Sequence, residues 1–145
     1  MNDKAPPLSI LVVEDELIIA MDIEMMIEDA GHQPVATCTS LDDIKALSAA
    51  AAPDLALVDM NLAGGSNGLE ASAEIRARWP DTAIIFVTAN PKKVPEGCDG
   101  AIGVIGKPFS ATGFAAALQY IQQLLRGTAD DQSVPAGFSP VPRVA

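Results

Sequence analysis

The sequence predicts an α/β fold in which a doubly wound, five-stranded parallel sheet is covered by helices on both faces. Two observations support this prediction. Short apolar runs alternate with segments of helical periodicity. Polar residues lie at or just beyond the ends of four of the runs, at the sheet edge where ligands bind in open parallel sheets. The five runs that we interpret as strands are residues 8–13, 34–37, 55–58, 83–87 and 101–105.

The first two helices are predicted between the first three runs. Gly31 ends the first helix, because glycine commonly stops a helix. Ser40 begins the second helix, and Asp43 is placed to complete a capping box. The residues that recur at helical spacing in the first helix are Ile19, Ile23, Met26, Ile27 and Ala30.

Two further helices complete the predicted fold. The third runs from about Leu69 to Trp79 and ends at Pro80, since proline cannot continue a helix. The last begins after Ser110. Its apolar stripe consists of Phe114, Leu118, Ile121 and Leu125.

Two segments do not fit the regular alternation. Residues 89–100 should form the fourth crossover, but Pro91, Pro95 and Gly97 predict a shortened or irregular one. Residues 127–145 contain three prolines and few strongly apolar side chains, so we expect a disordered C-terminal tail. The predicted domain therefore spans residues 8–126.

Composition excludes several classes of function. The chain has 145 residues, is 49% apolar, and carries a net charge of −10, which disfavours nucleic-acid binding. No apolar run reaches the roughly 18–20 residues of a membrane span, and no signal-peptide pattern is present, so we expect a cytoplasmic protein. Cys38 and Cys98 are two thiols without metal-ligand spacing, and we interpret them as structural.

Five polar residues form the candidate site. Glu14 and Asp15 follow the first run, Asp59 the third, Thr88 the fourth and Lys107 the fifth. Taken alone, Asp59 is more often a helix cap or a solvated side chain, Thr88 a strand-end hydroxyl, and Lys107 a solvated surface cation. Their joint position at the carboxyl ends of parallel strands predicts one common pocket.

This set of groups suits phosphoryl chemistry. Three close carboxylates repel one another unless a cation binds between them, and Mg²⁺ prefers a few carboxylates together with a substrate phosphate. Asp59 is the predicted nucleophile, forming an acyl phosphate. Lys107 supplies a fixed positive charge and Thr88 a hydroxyl donor to the phosphoryl oxygens. The following Pro108 makes a cis peptide bond possible.

With these residues in place, the chain resembles a receiver domain of a two-component response regulator. The resemblance rests on the motifs LVVEDE, LALVDMNL, the Asn67-Gly68 turn, FVTAN and GKPF. It implies a flavodoxin-like (βα)5 fold and a Mg²⁺-dependent phosphoprotein that receives its phosphoryl group from a histidine kinase or histidine phosphotransferase. Carried over by position, the resemblance makes Glu14 and Asp15 metal ligands and Asp59 the phosphoacceptor.

The resemblance implies three further roles and meets three departures. Asn61 is expected to give its backbone carbonyl to the metal, Thr88 to be the switch hydroxyl, and Lys107 to contact the phosphate. However, Val104 stands where the family usually has an aromatic residue, the fourth crossover is broken by prolines, and the loop between Asp59 and Gly68 is one residue longer. The FVTAN stretch and the missing aromatic resemble the divergent group named for a Phe-Ala-Thr-Gly motif.

Three interpretations of function follow. The first is a stand-alone receiver that signals to an unknown downstream protein or passes the phosphoryl group onward, without being a conventional enzyme. The second is a degenerate receiver that acts as an unphosphorylated interaction module. The third is an aspartyl phosphatase, disfavoured because Asn61 stands where those enzymes have an acid/base Asp.

A docking surface is expected on the first helix, whose Ile18, Met21 and Met25 lie beside its core stripe. The alternative is that a neighbouring helix covers these residues.

Overall fold

The computed structural model describes residues 6–48, 52–60, 68–89, 101–127 and 134–140. Secondary structure within these ranges follows the predicted alternation. The elements in chain order are β1 (Ser9–Val13), α1 (Leu17–Asp29), β2 (Gln33–Cys38), α2 (Leu41–Lys45), β3 (Leu55–Asp59), α3 (Gly68–Arg78), β4 (Ala83–Thr88), β5 (Ala101–Gly106), α4 (Ala111–Arg126) and β6 (Phe138–Pro140).

The sheet has the strand order β2-β1-β3-β4-β5-β6. Its first five strands pair in parallel, as predicted, and the order reverses between β1 and β3. That reversal opens a crevice beyond the carboxyl ends of the strands, which is where open α/β sheets bind ligands. The α/β, flavodoxin-like fold class is therefore confirmed.

The sixth strand corrects the prediction for the tail. Phe138–Pro140 pairs antiparallel with β5, so the expectation of disorder over residues 127–145 is wrong for this segment. Phe138 is buried in the core, and its ring packs edge-on against Tyr120 with centroids 5.5 Å apart. Phe138 is the one side chain of this strand that is buried in the core.

The core has one apolar layer on each face of the sheet. On one face, α1 and α4 cover the sheet, with Ile27 and Phe114 fully buried. On the other face, α2 and α3 do so, with Ile44 and Ile75 fully buried. Strands β3 and β4 are buried along their whole length, because a parallel sheet covered on both faces leaves no side for solvent.

The helix ends confirm most of the predicted boundaries. Ser110 caps α4 by accepting a hydrogen bond from the Gly113 amide at 2.9 Å. Ser40 caps α2 in the same way, accepting from the Asp43 amide at 3.2 Å. The capping box differs in one detail: the Asp43 carboxylate accepts from the Thr39 amide at 2.8 Å, one residue before the cap. The chain leaves α1 through Gly31, whose φ of 88° suits glycine.

Some predictions fall outside the described residues. Among them are the role of Asn61, the length of the loop after Asp59, the irregular fourth crossover at residues 90–100, and Cys98. Cys38, by contrast, is buried as expected. Among the helices that the structure does describe, none has the length and apolarity to cross a membrane.

Candidate functional site

The sheet register brings four strand ends to one edge. Val13 pairs with Val58, so Glu14 and Asp59 follow in line on neighbouring strands. Asp59 is in turn opposite Val87, which places Thr88 one residue further along β4. Thr88 pairs with Gly106, and Lys107 comes next. The polar residues predicted from the sequence therefore end four adjacent strands.

The three carboxylates converge as predicted. One carboxylate oxygen each from Glu14, Asp15 and Asp59 lie within 4.8 Å of one another. Glu14 is 1% exposed and Asp59 is 6% exposed, whereas Asp15 is partly exposed. Within the described ranges this is the one group of three or more His, Cys, Asp or Glu side chains close enough to share a metal ion.

Lys107 bridges two of these acids. Its Nζ lies 2.9 Å from Glu14 Oε1 and 3.6 Å from Asp59 Oδ2. Its backbone is held as well, because its amide donates to the Thr88 carbonyl at 2.8 Å. The Lys107–Pro108 peptide bond is cis. Contacts of both the side chain and the backbone of Lys107 thus hold its ammonium in the pocket.

The pKa values of the pocket reflect this crowding. Burial raises the pKa of Glu14, and its hydrogen bond with Asp59 raises it further, against the lowering effect of Lys107. Burial alone would lower the pKa of Lys107, but its hydrogen bond to Glu14 and the charge of Asp59 outweigh that effect and raise it. One ammonium against three carboxylates leaves an excess of negative charge, which favours a cation.

Gly68 lies in close contact with the backbone of Asp59 and Met60. A Cβ at this position would lie 2.7 Å from the Asp59 carbonyl oxygen and 2.9 Å from Met60 Cα. The Gly68 amide donates to the Met60 carbonyl at 2.9 Å. The start of α3 therefore lies directly against the backbone that carries Asp59. In the sequence, Gly68 stands out only as part of a turn motif, and no signal there points to this contact.

The structure thus brings together Glu14, Asp15, Asp59 and Lys107, with Thr88 buried at the end of the adjacent strand. Asn61 lies outside the described residues. The position that carries an aromatic residue in most of the resembled family is the buried Val104, paired with Phe86 on one side and Ser139 on the other.

The donor set fits a small, hard divalent ion. All three converging ligands are carboxylate oxygens, and Asp15 is partly exposed to solvent. Mg²⁺ favours this combination of few carboxylates and retained waters, whereas Zn²⁺ sites favour Cys and His. Glu14, Asp15 and Asp59 would be the residues that hold Mg²⁺.

Comparison with known proteins decides the family. The model of the response regulator receiver domain matches residues 10–119. The chain belongs to the response regulator receiver family. This membership places it in two-component signal transduction and favours the receiver interpretation over the phosphatase one.

Among curated proteins, the chain is similar to the phyllosphere-induced regulator PhyR of Methylorubrum extorquens, with 34% identity over 122 residues that cover 81% of this chain and 45% of that protein. It is also similar to the transcriptional regulatory protein PdtaR of Mycobacterium tuberculosis, with 25% identity over 119 residues, 81% of this chain and 58% of that protein. The chain therefore spans about half the length of these relatives.

Solved structures share the fold. The response regulator PhyR from Brucella abortus is 33% identical, with a TM-score of 0.68, over 86% of this chain and 50% of that one. The receiver domain of Erythrobacter litoralis PhyR is 25% identical, with a TM-score of 0.69, over 86% of this chain and 94% of that domain. The latter is a receiver domain by itself, and the match covers nearly all of it.

Proposed function

We propose that this receiver accepts a phosphoryl group on Asp59 in a Mg²⁺-dependent reaction and signals through contacts with other proteins. One observation carries the proposal. Asp59 ends its strand within 4.8 Å of two further carboxylates, and the Lys107 ammonium lies 3.6 Å from its Oδ2. A nucleophile, a cation-binding acid pair and a fixed positive charge therefore meet in one pocket.

Each residue has a distinct task in the transfer. A carboxylate oxygen of Asp59 forms the new O–P bond while the donor's bond to phosphorus breaks, and the electron pair leaves with the donor's imidazole or carboxylate group. Lys107 stabilises negative charge on the phosphoryl oxygens, and Thr88 offers a hydroxyl donor at the next strand end. A bound Mg²⁺ would neutralise charge on the phosphoryl group in transit.

The donor is proposed to be a protein phosphohistidine, on a histidine kinase or a histidine phosphotransferase. The exposed apolar side of α1 supports a protein donor. We call it the α1 outer face, and its side chains are Leu17, Ile18, Met21 and Met25, exposed by 64%, 77%, 57% and 61%. No described helix covers it, and it begins two residues after Asp15, at the mouth of the pocket.

The phosphoryl acceptor role is tested with a small-molecule donor. The protein is incubated with Mg²⁺ and acetyl phosphate, and its intact mass is measured. We expect a gain of one phosphoryl group that disappears in Asp59→Asn and on chelation of Mg²⁺. Asp81→Asn, an exposed acid in the turn before β4, is the matched control and should be phosphorylated normally. No gain in the wild-type protein would instead support a degenerate receiver that acts unphosphorylated.

The donor-docking role needs a protein donor. Histidine kinases labelled on their phosphohistidine are screened for transfer, and the fastest donor is then compared across variants. Met21→Asp with Met25→Asp should slow that transfer at least tenfold. Phosphorylation by acetyl phosphate should stay unchanged, because a small molecule needs no docking face. Val35→Asp, at another exposed apolar residue, is the control. Equal slowing of transfer in that control would contradict the role of α1 in docking the donor.

The output is proposed to be a protein contact or onward phosphotransfer in the cytoplasm, where ATP-dependent kinases act. The chain itself performs no multiple-turnover catalysis in this scheme. The missing aromatic at Val104 supports a place in the divergent Phe-Ala-Thr-Gly group. We propose that in this chain the signal leaves the site by a route other than aromatic rotation. The second candidate is an unphosphorylated module, and the convergence of Asp59 with two further carboxylates and Lys107 favours the acceptor role over it.

A further inference from the structure

We propose that the outer edge of β5 is a docking site for an extended peptide strand that carries one aromatic side chain. The outer edge is the side of Ala101–Gly106 that faces away from β4. In this chain β6 takes the site in cis, with Phe138 opposite Ile105 and Pro140 opposite Gly103. The ligand in trans is the same segment, residues 134–140, of a second copy of the chain. Docking at this edge does not depend on phosphorylation.

The site has a specific pocket for the aromatic ring. A Cβ added at Gly103 would lie 2.6 Å from Phe138 Cε1, and closer still to Cζ. The ring therefore occupies the space that any side chain at position 103 would fill. Tyr120 of α4 forms the other wall, with the two ring centroids 5.5 Å apart at an angle of 61°. The space above Gly103 and the facing ring of Tyr120 together favour a planar aromatic side chain at this site.

The main chain supplies the second element of recognition. The Gly106 amide donates to the Gly137 carbonyl at 3.0 Å, and the antiparallel register continues through Val104 and Ser139. An edge strand offers its unpaired amides and carbonyls to any strand that arrives, and side-chain pockets then set the specificity. The β5 edge meets both requirements.

The β6 segment that occupies the β5 edge is short enough to be replaced by the same segment of a second copy. The strand has three residues, and the neighbouring Gly137, Ser139 and Pro140 are exposed, so that only Phe138 is anchored in the core. Two-stranded contacts of this length are weak by themselves. Covalent connection gives the cis segment an effective concentration of about millimolar. A second copy carries both the site and the matching segment, so it competes when the cis strand is weakened.

The first test compares amide exchange at two adjacent residues in the wild-type protein. The Gly106 amide donates to the carbonyl of Gly137, the residue directly before β6, whereas the Lys107 amide donates to the Thr88 carbonyl at the end of β4. If β6 detaches from β5, the amide hydrogen of Gly106 should exchange at least tenfold faster than that of Lys107, after correction for intrinsic exchange rates. Equal protection at both amides would overturn the proposal, because β6 would then open only with the whole sheet.

The second test supplies the segment in trans to the full-length chain. Isotope-labelled Phe138→Ala protein is titrated with a synthetic peptide of residues 134–145, and the β5 and Tyr120 resonances are followed by NMR. We expect saturable shifts at these residues. The same peptide should bind wild-type protein at least tenfold more weakly, because the cis strand already occupies the site.

Two controls define the pocket. The peptide with Ala in place of Phe138, and the Phe138→Ala protein with Gly103→Val added, should both lose binding at least tenfold. Should Phe138→Ala fail to fold, Phe138→Leu replaces it as the weakened cis strand. Absence of shifts, or equal binding by the Ala-substituted peptide, would show that the β5 edge does not recognise an aromatic strand.

Discussion

The Lys107 ammonium is held by Glu14 more closely than by Asp59, at 2.9 Å compared with 3.6 Å. The lysine that faces the proposed acceptor, Asp59, is therefore positioned by a nearly buried acid from the first strand end. Glu14 and Asp15 are adjacent in sequence, yet they differ in their surroundings, because Glu14 is buried and Asp15 is partly exposed. We expect Glu14 to orient Lys107 and Asp15 to meet the incoming ion.

Glu14→Gln should stabilise the metal-free protein near pH 7. The pKa of Glu14 is raised in the folded state, mainly by burial, so its ionised form costs free energy of folding. That cost appears as the pH rises through the folded-state pKa. It amounts to about 1.4 kcal/mol for each unit by which folding raises the pKa of Glu14. Urea unfolding with a chelator present measures it. A less stable Gln variant would mean that the ion pair with Lys107 outweighs the burial of the carboxylate.

Mg²⁺ should stabilise the wild-type protein against unfolding. A ligand that binds only the folded state adds about 2.7 kcal/mol at one hundred times its dissociation constant. Asp15→Asn should lose most of this gain because it removes one of the three converging carboxylates. Asp81→Asn should keep it. Thermal unfolding with and without Mg²⁺ is the measurement, and a wild-type midpoint that ignores Mg²⁺ would contradict the assigned metal site.

Gly68→Ala should damage both stability and phosphorylation. Its Cβ would meet the Asp59 carbonyl oxygen at 2.7 Å, so either α3 or the Asp59 backbone must move, at a cost of about 1–3 kcal/mol. Phosphorylation by acetyl phosphate should slow at least tenfold. Ala73→Gly, an exposed position on the same helix, weakens α3 by about 0.5–1 kcal/mol and should leave phosphorylation unchanged. Equal rates in both variants would refute the contact's role.

His32 should make stability depend on pH. It is the single histidine of the chain, it is buried, and its Nδ1 accepts the Leu8 amide at 3.0 Å. Burial lowers its pKa, so the folded state binds the proton less readily than the unfolded chain does. Stability should therefore fall as the pH drops from about 6.5, the ordinary value, toward the folded-state pKa.

His32→Asn is the matched variant for that experiment, because its side-chain oxygen can still accept the Leu8 amide but does not titrate. The difference in unfolding free energy between wild type and variant should be constant above pH 7 and should change below it. A constant difference throughout the range would show that His32 titrates alike in both states.

The acidic pocket could be predicted from the sequence because it follows from one general rule. Glu14, Asp59, Thr88 and Lys107 each follow an apolar run, and parallel strands end at a common edge. The detailed geometry could not be predicted in the same way. Which acid holds Lys107 depends on side-chain reach and burial, and the tight contact of Gly68 with Asp59 depends on how α3 packs.

No pattern in the sequence predicts the sixth strand. The Phe138–Pro140 segment has no alternating pattern, and proline is typical of a loop or an edge strand. Its stability comes from the space above Gly103, which lies 35 positions earlier in the chain and is visible only once β5 is placed. Short helices show the same limit, since α2 ends after five residues although its cap was predicted correctly.

The central claim is that Asp59 itself receives the phosphoryl group, and reduction with borohydride tests this most directly. Borohydride converts an aspartyl phosphate to homoserine and leaves free carboxylates intact, so sequencing of peptides locates the acceptor. After treatment with Mg²⁺ and acetyl phosphate, we expect homoserine at position 59 and unmodified residues at positions 14 and 15. A reduced residue at position 14 or 15, or no reduced residue in a protein that has gained a phosphoryl group, would contradict the account.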